Sequence, residues 1–126
     1  MRFLILLVFA LNSAVALSQS AEFFFLDKTN HKWDDTKEGI LLKKTFRFVN
    51  AGNAPLVIQE ANVTCTCTKV IYPQQPIAPK DTSEIIIQFD TNQKYYYQNR
   101  TVEIISNAKK NPKFRLKVYV IPKEQQ

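Results

Sequence analysis

"GILLKKTFRFVNAGNAPLVIQEA", residues 39 to 61, decides the fold class. Leu42, Phe46 and Phe48 alternate with Lys43, Thr45 and Arg47, so an extended chain here carries one apolar face and one polar face. The segment Asn50 to Pro55 then breaks the alternation. Gly52 and Asn53 tolerate a positive φ, and Pro55 cannot donate to a strand ladder, so a turn is expected. "LVIQEA" (56–61) resumes an extended pattern. The stretch therefore reads as strand, turn, strand.

The same rhythm continues on both sides. "AEFFFLDK" (21–28) predicts an earlier strand, and "VTCTCTKVIY" (63–72) predicts one that runs up to the proline-marked loop "PQQPIAPKD" (73–81). Beyond it, Ile85, Ile87 and Phe89 share one face of "SEIIIQFD". Val102 and Ile104 share a face of "RTVEIIS", as do Phe114, Leu116, Val118 and Val120 of "KFRLKVYVI". About seven strands with turn signals every roughly 8 to 12 residues predict an all-β domain, an immunoglobulin-like β-sandwich. Both cysteines fall in one predicted strand, which excludes the usual disulfide between sheets. Burial of the inward faces, at about 25 cal/mol per Å2, has to hold the domain.

The first residues have a different character. "MRFLILLVFALNSAVALSQS" begins with basic Arg2, continues with an apolar run from Phe3 to Leu11, and ends in small residues. That layout predicts a cleaved signal peptide at 1–18 and a mature domain at 19–126. The run is shorter than the roughly 20 residues of a membrane span, so no integral membrane segment is expected after cleavage. No cysteine lies near the cleavage point, so a lipid anchor there is excluded. The expected location is secreted or periplasmic. Loss of Arg2 lowers the formal charge from +6 to +5. Lys113, Arg115 and Lys117 alternate with Phe114, Leu116 and Val118, the pattern of a solvated strand face, so nucleic acid is not an expected partner.

Cys65 and Cys67 are the chain's only cysteines. In an extended strand they share a face, with Cβ atoms roughly 6 to 7 Å apart. A disulfide needs about 3.8 Å, so bonding them would require a local kink and give a readily reduced bridge. Two thiolates side by side also suit a soft ion such as Cu(I). Burial as small apolar side chains is the third reading. His31, the only histidine, is not placed near them by anything in the sequence.

Tyr95, Tyr96 and Tyr97 are consecutive, so at least one ring must leave the core, where it suits protein contact or glycan stacking. Trp33, in the polar stretch "HKWDD", is a candidate for the same binding surface or for a lid over the sandwich. No catalytic residue set and no cofactor motif is apparent.

Several of these segments together resemble the DUF1573 family, exported bacterial domains common in Bacteroidetes. They are "TFRFVNAGNAPLVI" (45–58), "CTCT" (65–68), "PIAP" (76–79), "EIIIQFDT" (84–91) and "RTVEIISN" (100–107). The resemblance runs from about Glu22 to Ile121, and its most specific part is the pattern F-x-F-x-N-x-G-x-x-P-L-x-I. It implies an immunoglobulin-like sandwich with no established catalysis. The chain departs from the family in carrying Thr66 between the cysteines and Lys80 after a proline, both usually glycine. The resulting expectation is an exported, non-enzymatic binding or assembly module of the cell envelope. Its partner would be an envelope or extracellular protein, or a glycan, and no cofactor is expected. The alternative is a Cu(I)-binding or thiol-redox protein centred on Cys65 and Cys67.

Overall fold

The stretch at 39–61 forms a strand, a loop and the start of a second strand. The alternation is kept in the first and is interrupted in the second by a register shift between Ile58 and Glu60. The computed structural model describes residues 18 to 125. The leader expected at 1–18 lies outside them apart from Ser18. Nine strands follow in order among the described residues. They are β1 (Phe23–Phe25), β2 (Asn30–Lys32), β3 (Thr36–Lys37), β4 (Leu41–Asn50), β5 (Ile58–Val63), β6 (Thr68–Ile71), β7 (Thr82–Asp90), β8 (Tyr96–Ser106) and β9 (Lys113–Ile121). A 3-10 turn, Lys123–Gln125, follows β9 at the end of the described residues. No helix among the described residues is long and apolar enough to cross a membrane.

The strands form two sheets, ordered β1-β4-β7-β6 and β2-β9-β8-β5, with β3 also paired to β9. β4 runs against β7 from Leu41 opposite Asp90 to Val49 opposite Thr82. All pairings are antiparallel except those of β2 and β3, which lie parallel to β9. Apart from β2 and β3, the sheets have the order of a seven-stranded immunoglobulin sandwich. The extra strands arise because the N-terminal segment leaves one sheet after β1 and joins the other.

One expected strand is corrected. "VTCTCTKVIY" is not continuous: β5 ends at Val63 in one sheet and β6 starts at Thr68 in the other. The chain must turn between the sheets, and residues 64 to 67 make that turn.

The inward faces match the predicted periodicity. Phe46, Phe48, Ile85, Ile87, Phe89, Val102, Ile104, Phe114, Leu116, Val118 and Val120 are all buried. Phe46 and Phe114 meet with ring centroids 4.5 Å apart, and Phe25 places its ring edge-on to Phe114 at 5.3 Å. Such pairs add about 0.5 to 1.5 kcal/mol each beyond the area they bury.

The loop after β4 is built around Asn50, whose side chain is fully buried. Its Nδ2 donates to the carbonyls of Ala54 (2.8 Å) and Ile77 (2.9 Å), and its Oδ1 accepts from the Gly52 amide at 3.0 Å. The Glu22 amide reaches the same oxygen at 3.3 Å. One side chain thus joins the loop to β1 and to the strand-like segment at Ile77. Gly52 is required by proximity rather than by a positive φ. A Cβ there would overlap the Ser20 carbonyl oxygen and lie 2.8 Å from Ala21 Cα. Lys80 does take a positive φ, 71°. It follows Pro79, and the Asp81 amide donates to the Ala78 carbonyl at 3.0 Å, the layout of a type II turn that ordinarily wants glycine.

Candidate functional site

The turn from β5 to β6 carries both cysteines, and Cys65 and Cys67 are joined as a disulfide with Cα atoms 5.1 Å apart. The extended geometry expected for them does not occur, because a turn replaces the strand. The kink that a bridge over two residues demands is supplied by the crossing between sheets. It holds although Thr66, and not a glycine, stands between the cysteines. The Cys67 amide lies 3.1 Å from Cys65 Sγ, and the Thr68 amide donates to the Cys65 carbonyl at 3.1 Å. Both sulfurs are engaged in the bridge, so neither is a thiolate ligand in this state. Among the described residues no group of three or more His, Cys, Asp or Glu side chains is placed to hold a metal ion.

The two sulfurs have unequal surroundings. Cys67 is half-buried and packs against the cluster formed by Phe89, Val118 and Val120. Arg100, on β8, reaches it from inside the sandwich: its Nε lies 3.5 Å from Cys67 Sγ. The guanidinium sits over the Phe89 ring, 4.9 Å from the centroid, a cation–π contact. Its remaining nitrogens donate to Gln98 Oε1 (2.8 Å) and to the Asn99 carbonyl (2.7 Å). Among the described residues the ion pairs are Arg47 with Asp27 and Lys113 with Glu103, and neither involves Arg100. Burial pushes the Arg100 pKa down, as expected for a partly desolvated cation.

Sequence reasoning missed Arg100, although a signal was present. Arg100 has the same parity in β8 as Val102 and Ile104, so the strand period points it inward. A cation on a core face needs partners, and the Phe89 ring, Gln98, the Asn99 carbonyl and the Cys67 sulfur are those present.

Beside the disulfide runs a groove of about 540 Å3 between β5 and β6. Glu60, Ala61 and Val63 line it on one side, and Thr68, Val70 and Tyr72 on the other. β5 and β6 each stand last in their sheet, so two sheet edges meet across this groove. Thr66 of the cysteine turn forms part of its wall.

The aromatic candidates separate. Tyr95 precedes β8, whereas Tyr96 and Tyr97 open it. All three are exposed, Tyr97 most at 77%. Tyr96 has a positive φ of 62°, which breaks simple alternation at the start of the strand. Tyr96 and Tyr97 lean on Tyr119, at centroid distances of 6.1 and 4.9 Å. Trp33 is half-buried. It stacks near Phe89 at 6.4 Å, its Nε1 donates to the Lys43 carbonyl at 3.3 Å, and it contacts both core clusters. Its backbone amide donates to the Lys117 carbonyl of β9, so Trp33 bonds to a strand of each sheet and packs as a lid on the core between them. His31 packs edge-on against Trp33, and burial, with Lys44 adding to it, holds its pKa below 6.5.

The family signature can now be placed. Phe46, Phe48, Asn50, Leu56 and Ile58 are buried, and Gly52 is packed against the Ser20–Ala21 backbone. The pattern therefore specifies the end of the sandwich where Phe46, Phe48 and Leu56 pack beneath the loop after β4, here called the closed end, rather than a site.

A family model described as a protein of unknown function (DUF1573) matches residues 24–120. Among solved structures, the chain is similar to the ASH / PapD-like domain of human CEP192 (PapD-like domain 7), with a TM-score of 0.64 and 11% identity over 91% of this chain and 96% of that one. A protein of unknown function from Porphyromonas gingivalis W83 aligns with a TM-score of 0.65 and 18% identity, over 86% of this chain and 51% of that one. The chain thus spans about half the length of that protein. The E. coli chaperone DraB aligns with a TM-score of 0.51 and 14% identity, over 83% of this chain and 56% of that one. These likenesses are of fold. A comparison with curated proteins finds no match.

Proposed function

The chain belongs to the DUF1573 family, and from that premise we propose that it is an exported, non-enzymatic binding module of the bacterial cell envelope that takes up an extended segment of a partner protein. The leader-like residues 1–18 support export to the periplasm or the cell exterior. The immunoglobulin-like sandwich fits a binding role. The observation that carries the reading is the groove between β5 and β6, where two sheet edges lie side by side.

An unpaired edge offers backbone groups to an incoming strand, and pockets beside it select side chains. β6 is suited to this. The Asp90 amide donates to the Cys67 carbonyl at 2.9 Å, and antiparallel alternation then turns the Val70 backbone N–H and C=O away from β7. Val63 and Ile71 leave apolar surface exposed on the strands flanking the groove. β5 is a poorer acceptor, because its register shifts between Ile58 and Glu60.

A photo-crosslinking side chain at position 71, with position 24 on the far edge of the same sheet as control, tests the proposal in the native envelope. Adducts are expected from position 71, and Val70→Pro should remove them while the near-ultraviolet circular dichroism stays native. Equal adducts from both positions, or adducts indifferent to the proline, would defeat the groove reading.

The exposed tyrosines favour a second surface for protein or glycan contact, with Tyr97 as its leading ring. Tyr97→Ala should abolish any glycan affinity measured by titration calorimetry. Unchanged affinity would remove that surface.

A further inference from the structure

We propose that the Cys65–Cys67 disulfide is a reversible thiol–disulfide exchange centre in which Arg100 stabilises the thiolate that Cys67 becomes on reduction. The inference does not depend on the groove binding a partner. It rests on three observations. The bridge spans only two residues in a turn, so opening it releases little of the fold. The sulfurs are asymmetric, with Cys67 packed on Phe89, Val118 and Val120 and Cys65 outside that cluster. Arg100 is a half-buried cation that touches Cys67 Sγ and has no ion-pair partner among the described residues.

The chemistry follows from that asymmetry. The co-reactant is a thiol, either a small monothiol or a dithiol protein. Its thiolate attacks Cys65 Sγ and forms a mixed disulfide there. The Cys65–Cys67 bond breaks, and its electron pair leaves on Cys67 Sγ. Leaving groups of lower pKa depart faster, and a guanidinium beside a thiol lowers its pKa from about 8.5. The new anion meets Arg100 Nε, already 3.5 Å away, and supplies the counter-charge the arginine lacks in the oxidised state. A second thiolate then attacks the sulfur of the reductant in the mixed disulfide and expels Cys65, which takes a proton from water. Two thiols become one disulfide, and two electrons pass to the protein.

Run in reverse, the same steps oxidise a thiol pair on a partner. Thr68 assists at the same sulfur: its Oγ1 lies 3.8 Å from Cys67 Sγ, where a hydroxyl can donate to a thiolate.

The test uses the full mature chain in glutathione buffers of graded ratio, followed by acid quench, alkylation and peptide mass mapping. Glutathione is expected on Cys65 and not on Cys67. The equilibrium constant for reduction should fall about tenfold in Arg100→Gln, the equivalent of one pKa unit lost from the Cys67 thiolate. Arg100→Lys should restore part of it, which loss of packing alone would not do. Circular dichroism and urea unfolding of each variant show that the fold is kept. The proposal is overturned by glutathione appearing equally on both cysteines, or by a reduction equilibrium that is the same in wild type and Arg100→Gln. A disulfide that opens only when the domain unfolds would overturn it as well.

Discussion

The two ends of the sandwich are built from the same strands and differ in what fills them. At one end, Phe46, Phe48, Phe114, Ile104 and Leu56 pack as hydrocarbon, and the only buried polar side chain among them, Asn50, has both polar atoms bonded. At the other, Phe89, Val118 and Val120 share the interior with Arg100 and Cys67. The inward face of β8 shows the change within a few residues, from Ile104 and Val102 to Arg100 and Gln98. A buried polar group that secures the fold is fully satisfied by backbone partners. Arg100 differs from Asn50: its three guanidinium nitrogens reach a sulfur, a side-chain oxygen and one carbonyl, so most of its partners are not backbone. The closed end therefore makes the scaffold, and the open end carries what the scaffold presents.

Substitutions at the closed end should have the largest effects. Phe46→Ala removes a fully buried ring in contact with Phe114, and a loss of about 3 to 5 kcal/mol is expected in urea unfolding. Asn50→Ala strips partners from the Ala54 and Ile77 carbonyls and from the Gly52 and Glu22 amides. A loss of about 3 kcal/mol is expected, since each buried group left unpaired costs about 1 to 3 kcal/mol. A loss below 1 kcal/mol would mean that water replaces the asparagine, and the closed end would not be dry.

This end was also the more legible in the sequence. Strict alternation in β4, β7 and β9 reveals which residues face inward, because a half-buried strand has no other period. What alternation cannot reveal is where a strand must stop in order to change sheets. Threonine and valine around Cys65 favour extension as local residues, yet β5 and β6 belong to different layers, and that topology overrides propensity at 64–67. The disulfide, one of the readings the sequence left open for the pair, could not be singled out for the same reason, because its geometry depends on the turn. Arg100 was legible by parity and was hidden by its chemistry, since charged residues are ordinarily placed outside. Gly52 was read as conformational freedom, whereas its cause is the contact with Ser20 and Ala21, residues that lie far from it in sequence.

Arg100→Met sharpens the contrast. Removing a half-buried cation that has no carboxylate partner should change stability by no more than about 1 kcal/mol in either direction. If it costs as much as Phe46→Ala, the arginine is part of the scaffold and the two ends do the same work. Lys80→Gly probes the closed end from outside. The left-handed conformation costs a lysine about 1 to 2 kcal/mol, and glycine's extra freedom when unfolded cancels about half of that. A gain under about 1 kcal/mol is expected, and a loss would show that the lysine side chain holds the turn.

Acid titration separates the ends by pH with the smallest effects. His31 belongs to the Trp33 lid, and its pKa in the folded chain lies below 6.5, first through burial and then through Lys44. The unfolded chain therefore binds the proton more readily, so stability rises with pH across this window. The contribution is complete above 6.5 and is lost as pH falls through 6.5 toward the folded value. Asp27, joined to Arg47 at 3.2 Å beside Phe48, is held below 3.8 chiefly by the arginine's hydrogen bonds. It too favours the folded state at higher pH, but its contribution is lost only below 3.8. Both side chains are half-buried but still reached by water, which screens their interactions, so each step should be shallow. His31→Gln should erase the first step and leave the second, and Asp27→Asn should do the opposite. A single step removed by either substitution would mean that the lid and the closed end titrate as one unit, and the division between them would fail.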